Sequence, residues 1–255
     1  MRIALLGQPV RHSRSPAIFA AAFAATGLVG TYEARAVNAD GVESAFAELA
    51  SGALHGLNVT MPHKALAYDL CDRVADAAGR AGAVNTVKEV GGSAVGYSTD
   101  IDAVTECWSN FPQDRPILIL GGGGAAAAAL VALADREPYI ATRRFGAGAA
   151  AGSRTRVEVG EVRWGVPVVG AVVVNCTPLG MRGESLPEAV LELGSGLLDM
   201  AYGAAPTPAV SLVRGLGHPV VDGLDLLVSQ AAHGFRLFTG LAPPVEAMRA
   251  AAENH

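Results

Sequence analysis

The chain has 255 residues, of which 51% are hydrophobic and 17% are charged, and its formal net charge at pH 7 is −5. A mean hydropathy of +0.33 with so few charges excludes an intrinsically disordered chain, and the acidic balance argues against a nucleic-acid-binding surface, which is basic. No segment offers the roughly 20 consecutive apolar residues of a membrane helix, and the N-terminal apolar stretch is too short for a signal peptide. Three cysteines without a CxxC pair fit a reducing compartment, so we expect a soluble, cytoplasmic protein.

Short apolar runs alternate with helical patterns along the chain, which predicts an α/β fold with largely parallel sheets. The elements predicted in the first part are a strand at 2–6, a helix at 15–25 capped by Ser15, a strand at 32–36, a helix at 41–49, a strand at 56–60, a helix beginning at Met61-Pro62, a hairpin of 83–89 with 92–97, and a helix from about Asp102. Polar residues and two prolines at 109–116 then indicate a boundary.

A fresh and strongly patterned unit follows this boundary. Its predicted elements are a strand at 117–120, a glycine turn at 121–124, a helix at 125–134, strands at 139–142, 171–175, 197–200 and 219–221, and a helix at 224–239. The stretch 147–152 is rich in Gly and Ala and predicts little.

The glycine turn fits the pattern G-x-G-x-x-A between a strand and a helix. Gly121 permits the tight turn, Gly123 lets the backbone approach a pyrophosphate, and Ala126 allows close packing of helix on sheet. The amides and the positive end of the helix then attract phosphates. Such a turn also arises from packing alone, but in this context it favours a dinucleotide site.

The end of the second strand of this unit indicates which dinucleotide is bound. An NAD site has an acidic residue there to hold the ribose 2′-hydroxyl, whereas this chain has Thr142, Arg143 and Arg144. Two guanidinium groups offer donors to a 2′-phosphate, which favours NADP over NAD. The alternative is a pair of merely solvated arginines.

Several strings resemble those of the shikimate dehydrogenase family, occur in that family's order, and extend the similarity from about Ile3 to Gly240. They are His12-Ser13-Arg14-Ser15-Pro16, Asn58-Val59-Thr60-Met61-Pro62-His63-Lys64, Ala83-Val84-Asn85-Thr86, Thr99-Asp100, Asn175-Cys176-Thr177-Pro178-Leu179-Gly180-Met181, Asp199-Met200-Ala201-Tyr202, and Gly223-Leu224 with Gln230. The chain departs from the family at Ser98 and at Thr142, where Asn is usual.

The resemblance implies an N-terminal α/β substrate domain with a mainly parallel sheet (1–102 together with 224–255), a Rossmann-type NADP-binding domain (103–223), and a cleft between them. It implies that Lys64 and Asp100 form the catalytic pair. The implied substrate-binding residues are Ser13, Ser15, Thr60, Asn85, Tyr202 and Gln230. The implied cofactor-binding residues are Gly121, Gly123, Gly124, Ala125, Thr142, Arg143, Arg144, Thr177, Met200 and Gly223.

The chemistry of these side chains fits such roles. A substrate with one carboxylate and three hydroxyls needs many short neutral donors and acceptors, and a lysine ammonium supplies the proton that ketone reduction requires. A carboxylate beside the ammonium holds it in place and favours its charged form. Each residue also has a plain interpretation: Ser15 as a helix cap, Thr60 as a turn residue, Asn85 as a brace at a strand end, Gln230 on an exposed helix face, Lys64 on the surface, and Asp100 as the cap of a helix beginning at Ile101.

We therefore expect an NADP-dependent enzyme that reversibly reduces 3-dehydroshikimate to shikimate in aromatic amino acid biosynthesis. A quinate/shikimate dehydrogenase that uses NAD and a ligand-sensing paralogue without turnover remain alternatives. The expected partners are small molecules, with no nucleic acid, membrane or metal, since the six histidines show no ligand spacing. The expected state is a monomer or a homodimer.

Overall fold

The computed structural model describes residues 1–10 and 12–254. The chain divides into two compact units, Met1–Ala103 with Leu227–His255, and Val104–Leu226. The boundary between Ala103 and Val104 precedes the proline-containing stretch 109–116. Phe111 of that stretch is buried against Gly196, and both residues belong to the second unit.

The elements alternate between strands and helices along the chain. Up to residue 107 they are β1 (Arg2–Gly7), α1 (Ser15–Thr26), β2 (Thr31–Ala36), α2 (Ala39–Ala50), β3 (Gly56–Val59), α3 (Lys64–Leu70), β4 (Arg73–Val74), α4 (Asp76–Ala81), β5 (Thr86–Val90), β6 (Ser93–Tyr97) and α5 (Thr99–Cys107). From residue 117 they are β7 (Ile117–Leu120), α6 (Gly124–Ala132), β8 (Tyr139–Thr142), α7 (Ala147–Thr155), β9 (Gly160–Arg163), β10 (Val172–Asn175), α8 (Glu188–Glu192), β11 (Gly196–Asp199), α9 (Pro208–Gly215), β12 (Val220–Val221), α10 (Gly223–Thr239) and α11 (Val245–Glu253). None of the described helices is both long and apolar enough to cross a membrane.

The first unit contains a sheet in the order β2-β1-β3-β5-β6-β4. β1 pairs in parallel with β2 and β3, and β4 pairs in parallel with β6. The predicted hairpin is confirmed: β5 and β6 are antiparallel, with Thr86 opposite Tyr97, and β5 also pairs antiparallel with β3. Because β5 runs against its neighbours, its amino end lies at the same edge as the carboxyl ends of β1, β3 and β6.

The second unit contains a sheet in the order β12-β11-β10-β7-β8-β9, in which all the pairs are parallel. This is the doubly wound Rossmann order, in which the direction of winding reverses between β7 and β10. β7, β10 and β11 are buried along their whole length, as expected of strands covered by helices on both faces. The predicted α/β class with two mainly parallel sheets is thus confirmed.

Both sheets of the chain are covered by apolar helices. In the first unit α1 packs with α10 and α11, where Ile18, Phe19 and Phe235 are fully buried and the rings of Phe19 and Phe235 lie 6.4 Å apart. A second cluster on this unit's sheet includes Leu6, Leu57 and Val84, and the cluster of the second unit includes Leu120. Packing in these cores fixes the positions of the strand ends, and therefore of the loops that carry the polar sequence strings quoted above.

Some predicted boundaries were wrong. Ser15 is not the cap of α1, because it is the first helical residue and Arg14 is the N-cap without a side-chain hydrogen bond. α3 begins at Lys64 rather than at Met61-Pro62, because a turn closed by the amide of His63 on the carbonyl of Thr60 comes first. α5 begins at Thr99, so Asp100 lies within its first turn rather than at its cap.

Candidate active site

Lys64 and Asp100 form an ion pair in the first unit. Lys64 opens α3, which follows β3, and Asp100 lies in the first turn of α5, which follows β6. The strands end at one edge of the sheet, so the two side chains meet although they are distant in sequence. Their side chains are only 18% and 20% exposed, so water screens the attraction less than it does at an open surface. The carboxylate thereby holds the side-chain nitrogen of Lys64 in one place.

A network of buried amides and hydroxyls lies at the same sheet edge. The side chain of Asn85 donates from Nδ2 to Oγ1 of Thr99 at 3.0 Å and accepts at Oδ1 from the amide of Thr99 at 2.8 Å. Asn58 donates from Nδ2 to Oγ1 of Thr86 at 2.8 Å and to the carbonyl oxygen of Asn85 at 3.1 Å. All four residues are buried, so their orientations are fixed by the network.

Two further residues extend this network. Tyr32 of β2 donates its hydroxyl to Oδ1 of Asn58 at 2.9 Å, and its ring stacks on Phe19. On the other side, Oε1 of Gln230 in α10 lies 3.4 Å from Oγ1 of Thr99, while its Nε2 donates to the carbonyl of Leu227. Gln230 therefore does not stand on a freely exposed helix face.

The two serines lie in the segment that leads from β1 into α1. The amide of Ser15 donates to Oγ of Ser13 at 3.3 Å, and the amide of Ser13 donates to the carbonyl of Val10 at 3.0 Å. Ser15 is buried and Ser13 is partly buried. Two hydroxyls are thus held beside the amino end of a helix, an arrangement suited to a carboxylate.

The loops after β1 and β3 are joined by their backbones. The amide of Gln8 donates to the carbonyl of Met61, and the amide of Thr60 donates to the carbonyl of Leu6. Thr60 thus sits at the same sheet edge as Lys64. His63 is buried, with Nε2 at 2.8 Å from the carbonyl oxygen of Val37, which agrees with a structural role for this histidine.

In the second unit the glycine turn lies at the switch point of the sheet. Gly121 has φ = +120°, and a Cβ there would approach the carbonyl oxygen of Cys176 to 3.1 Å, so the residue must be glycine. Gly123 is the N-cap of α6, and a Cβ there would meet nothing within 4 Å. Gly124 and Ala125 begin the helix, and Ala126 is fully buried, as the G-x-G-x-x-A pattern requires.

A buried carboxylate organises the loops after β10 and β11. Asp199 accepts hydrogen bonds from Oγ1 of Thr207 at 2.6 Å, from Nδ2 of Asn175 at 2.8 Å and from the amide of Ala201 at 3.0 Å. Asn175 in turn accepts from the hydroxyl of Thr177 at 2.7 Å. Burial raises the pKa of Asp199, although the hydrogen bonds from Thr207, Ala201 and Asn175 act in the opposite direction.

Three more residues named from the sequence lie close to this carboxylate network. The amide of Met200 donates to the carbonyl of Asn175. A Cβ on Gly223 would lie 2.3 Å from the carbonyl oxygen of Ala201 and 2.9 Å from Cβ of Tyr202, so glycine is required there for close packing. Tyr202 belongs to the second unit, whereas the other named substrate residues belong to the first.

The loop after β8 carries Arg143 and Arg144, which are both exposed. Thr142 is buried, and its hydroxyl donates to the carbonyl of Arg144 at 2.7 Å. Arg154 of α7 donates from Nη2 to the carbonyl oxygen of Gly122 at 3.2 Å. Three guanidinium groups therefore belong to the segments around the glycine turn.

Sequence reasoning missed several residues that build these networks. Asn58, Thr86, Thr99, Asn175 and Asp199 belong to the strings quoted above, and their polar character within or beside buried strands is the signal that marks them. Tyr32, Thr207 and Arg154 lie outside the strings. Among residues 1–10 and 12–254, no group of three or more His, Cys, Asp or Glu side chains is placed to hold a metal ion.

Known proteins resemble this chain over most of its length. A shikimate dehydrogenase substrate binding domain matches residues 5–87, and a shikimate 5'-dehydrogenase C-terminal domain matches residues 223–253. A shikimate dehydrogenase (NADP(+)) from Alkalilimnicola ehrlichii is 36% identical over 95% of this chain and 94% of its own, and one from Citrifermentans bemidjiense is 34% identical over 97% and 92%. The crystal structure of shikimate 5-dehydrogenase from Thermus thermophilus with NADP(H) and shikimate has a TM-score of 0.88 at 33% identity, and the match covers 100% of this chain and 99% of that one. The chain therefore belongs to the shikimate dehydrogenase family.

Proposed function

We propose that the protein catalyses the NADP-dependent, reversible reduction of 3-dehydroshikimate to shikimate, a step in the biosynthesis of aromatic amino acids. The observation that carries the proposal is the partly buried ion pair of Lys64 with Asp100, beside a network of buried amides and hydroxyls. Relatives with this activity in their names support it over most of the chain.

The substrate-binding role falls to polar residues of the first unit, and the family resemblance assigns the same role to Tyr202. Ser13 and Ser15 bind the substrate carboxylate through their hydroxyls, as the amino end of α1 favours. Thr60, Asn85 and Gln230 bind its hydroxyl groups. Neutral donors and acceptors suit this task because removing them from water costs less free energy than removing charged groups does.

The residues of the second unit fit a dinucleotide phosphate. Gly123 leaves open the space that a side chain would fill, and Gly124 with Ala125 offers the first amides of α6 to a pyrophosphate. The end of β8 carries no acidic residue, which would repel a 2′-phosphate. Arg143 and Arg144 are exposed. Thr142 holds their backbone, while Thr177, Met200 and Gly223 line the nicotinamide end.

The chemistry follows from the ion pair. A bound NADPH would supply the hydride that reduction of the ketone requires. Lys64 donates a proton from Nζ to the carbonyl oxygen, so that the ketone gains one hydride and one proton and becomes an alcohol. Asp100 orients the ammonium throughout. In the reverse direction the neutral amine of Lys64 accepts the hydroxyl proton.

One assay tests this function directly. Rates are measured by nicotinamide absorbance for shikimate and for quinate, each with NADP and with NAD. We expect the pair of shikimate with NADP to give the highest kcat/KM. A preference for quinate with NAD would contradict the proposal, and binding of shikimate without any change in absorbance would indicate a sensor instead.

We further infer that the protein works in the cytoplasm on small molecules, as a monomer or a homodimer. The chain has three cysteines and no CxxC pair, which is usual in a reducing compartment. Sedimentation of the purified chain with and without a reducing agent tests this inference. An intermolecular disulfide in the protein isolated from cells would contradict it.

A further inference from the structure

The loop between β8 and α7 is fastened by a carboxylate from the neighbouring strand. Glu161 of β9 accepts at Oε1 from the amide of Gly146 at 2.8 Å and from the amide of Gly148 at 2.9 Å. Gly146 is the N-cap of α7, so a single oxygen satisfies an amide at the cap and one in the first turn. The acid therefore acts as a cap that is supplied by another element.

The site for this carboxylate is built into the backbone. A Cβ on Gly148 would lie 2.8 Å from Oε1 of Glu161, so only glycine leaves room for the acid there. Gly146 has φ = +92°, a conformation that favours glycine and that directs the chain from the loop into the helix. The pairing of Ile140 with Glu161 in the sheet fixes where the side chain starts.

The fastened loop presents its side chains to solvent. Arg143, Arg144 and Phe145 are all exposed. At the other end of the loop, the carbonyl of Arg144 accepts from the hydroxyl of Thr142 at 2.7 Å and from the amide of Ala147 at 3.1 Å. The two arginines thus lie between one anchor on Thr142 and another on Glu161.

We propose that Glu161 is a positioning residue for the 2′-phosphate of the cofactor, acting through the loop that carries Arg143 and Arg144. The proposal rests on the proposed use of NADP. Because the carboxylate already occupies the amino end of α7, that helix end has little positive potential left for a phosphate, and the guanidinium groups must supply the recognition. Their geometry then depends on the anchor that Glu161 provides.

The test distinguishes the effect of the length of the Glu161 side chain from the effect of its charge. Glu161→Gln keeps an oxygen at the same distance without the charge, whereas Glu161→Asp keeps the charge but is one methylene too short to accept from both amides. Dissociation constants for NADPH and NADH are measured from nicotinamide fluorescence without substrate, on protein whose thermal unfolding has been recorded. Glu158→Ala is the matched control, since Glu158 is an exposed acid in the same unit.

We expect Glu161→Asp to weaken NADPH binding about 5- to 10-fold, because loss of a helix cap typically lowers the population of the capped conformation by about this factor. NADH binding should change less than about 2-fold. Glu161→Gln and Glu158→Ala are expected to bind both nucleotides as the parent does. Equal weakening of NADPH and NADH, or an effect of Glu161→Gln with none of Glu161→Asp, would overturn the positioning role. A parent protein that binds neither nucleotide would instead overturn the proposed cofactor.

Discussion

The ammonium of Lys64 is paired with the carboxylate of Asp100, 36 residues further along the chain. The antiparallel hairpin of β5 and β6 brings them together, because it returns the chain to the sheet edge at which β3 ends. The pair thus depends on the topology of the first unit as much as on the two side chains.

If Asp100 acts only by orienting Lys64, their substitutions will not be additive. Asp100→Asn is expected to lower kcat at least about 10-fold, and the double variant with Lys64→Ala will be no slower than Lys64→Ala alone. Steady-state kinetics of the four proteins measures this coupling. Glu106→Gln is the control, since Glu106 is an exposed acid on the same helix. If the fold-decreases in kcat of the two single variants multiplied in the double variant, the two residues would act independently.

Tyr32 supports the buried network through its hydroxyl. Tyr32→Phe removes a hydrogen bond from Oδ1 of Asn58, a residue that is only 6% exposed, and we expect the free energy of unfolding to fall by about 1–3 kcal/mol. Urea denaturation measures this change. Tyr139→Phe, at an exposed site, should stay within about 0.5 kcal/mol of the parent. The same small effect from both substitutions would show that the Tyr32 hydrogen bond contributes nothing.

Asp199 makes stability depend on pH. Burial raises its folded-state pKa above the unfolded value of about 3.9, so the folded state binds the proton more tightly. Its contribution to stability is therefore greatest below pH 4 and falls as pH rises through the raised pKa. We expect the stability of the parent relative to Asp199→Asn to decrease from pH 4 to pH 7 in thermal unfolding. A difference that stays constant or grows with pH would contradict this assignment.

Arg143 and Arg144 are expected to select the cofactor. Replacing either with Ala removes charge-assisted hydrogen bonds to a 2′-phosphate, and the Kd of NADPH should rise about 10-fold while that of NADH changes little. Titration of nicotinamide fluorescence measures both constants. Arg163→Ala, an exposed arginine on β9, serves as the control. If NADH binding weakened as much as NADPH binding, the two arginines would not be recognising the extra phosphate.

Much of the fold follows from local pattern. The hairpin turn at Gly91-Gly92 and the buried runs of β7 and β10 are visible in the sequence because turn chemistry and apolar runs act over a few residues. The glycine turn is equally local, and φ = +120° at Gly121 is the conformation that such a turn requires.

The contacts that complete the sites were not predictable in the same way. Tyr32 reaches Asn58 across two strand pairings, and Glu161 reaches Gly146 from the adjacent strand. Each contact depends on the register between strands, which a single sequence does not specify residue by residue. The edge strand β9 was missed because its residues, Gly160–Arg163, lack an apolar run.

The most direct test of the mechanism is the turnover number of lysine variants. The chain has two lysines, and Lys88, which donates to the carbonyl of Leu237 at 2.7 Å in the same unit, is the matched control. We predict that Lys64→Ala and Lys64→Arg each lower kcat with shikimate and NADP at least about 100-fold, since neither side chain transfers a proton at neutral pH. The Kd of NADPH and the kcat of Lys88→Ala should remain near those of the parent. Turnover by Lys64→Ala equal to that of the parent would contradict the account.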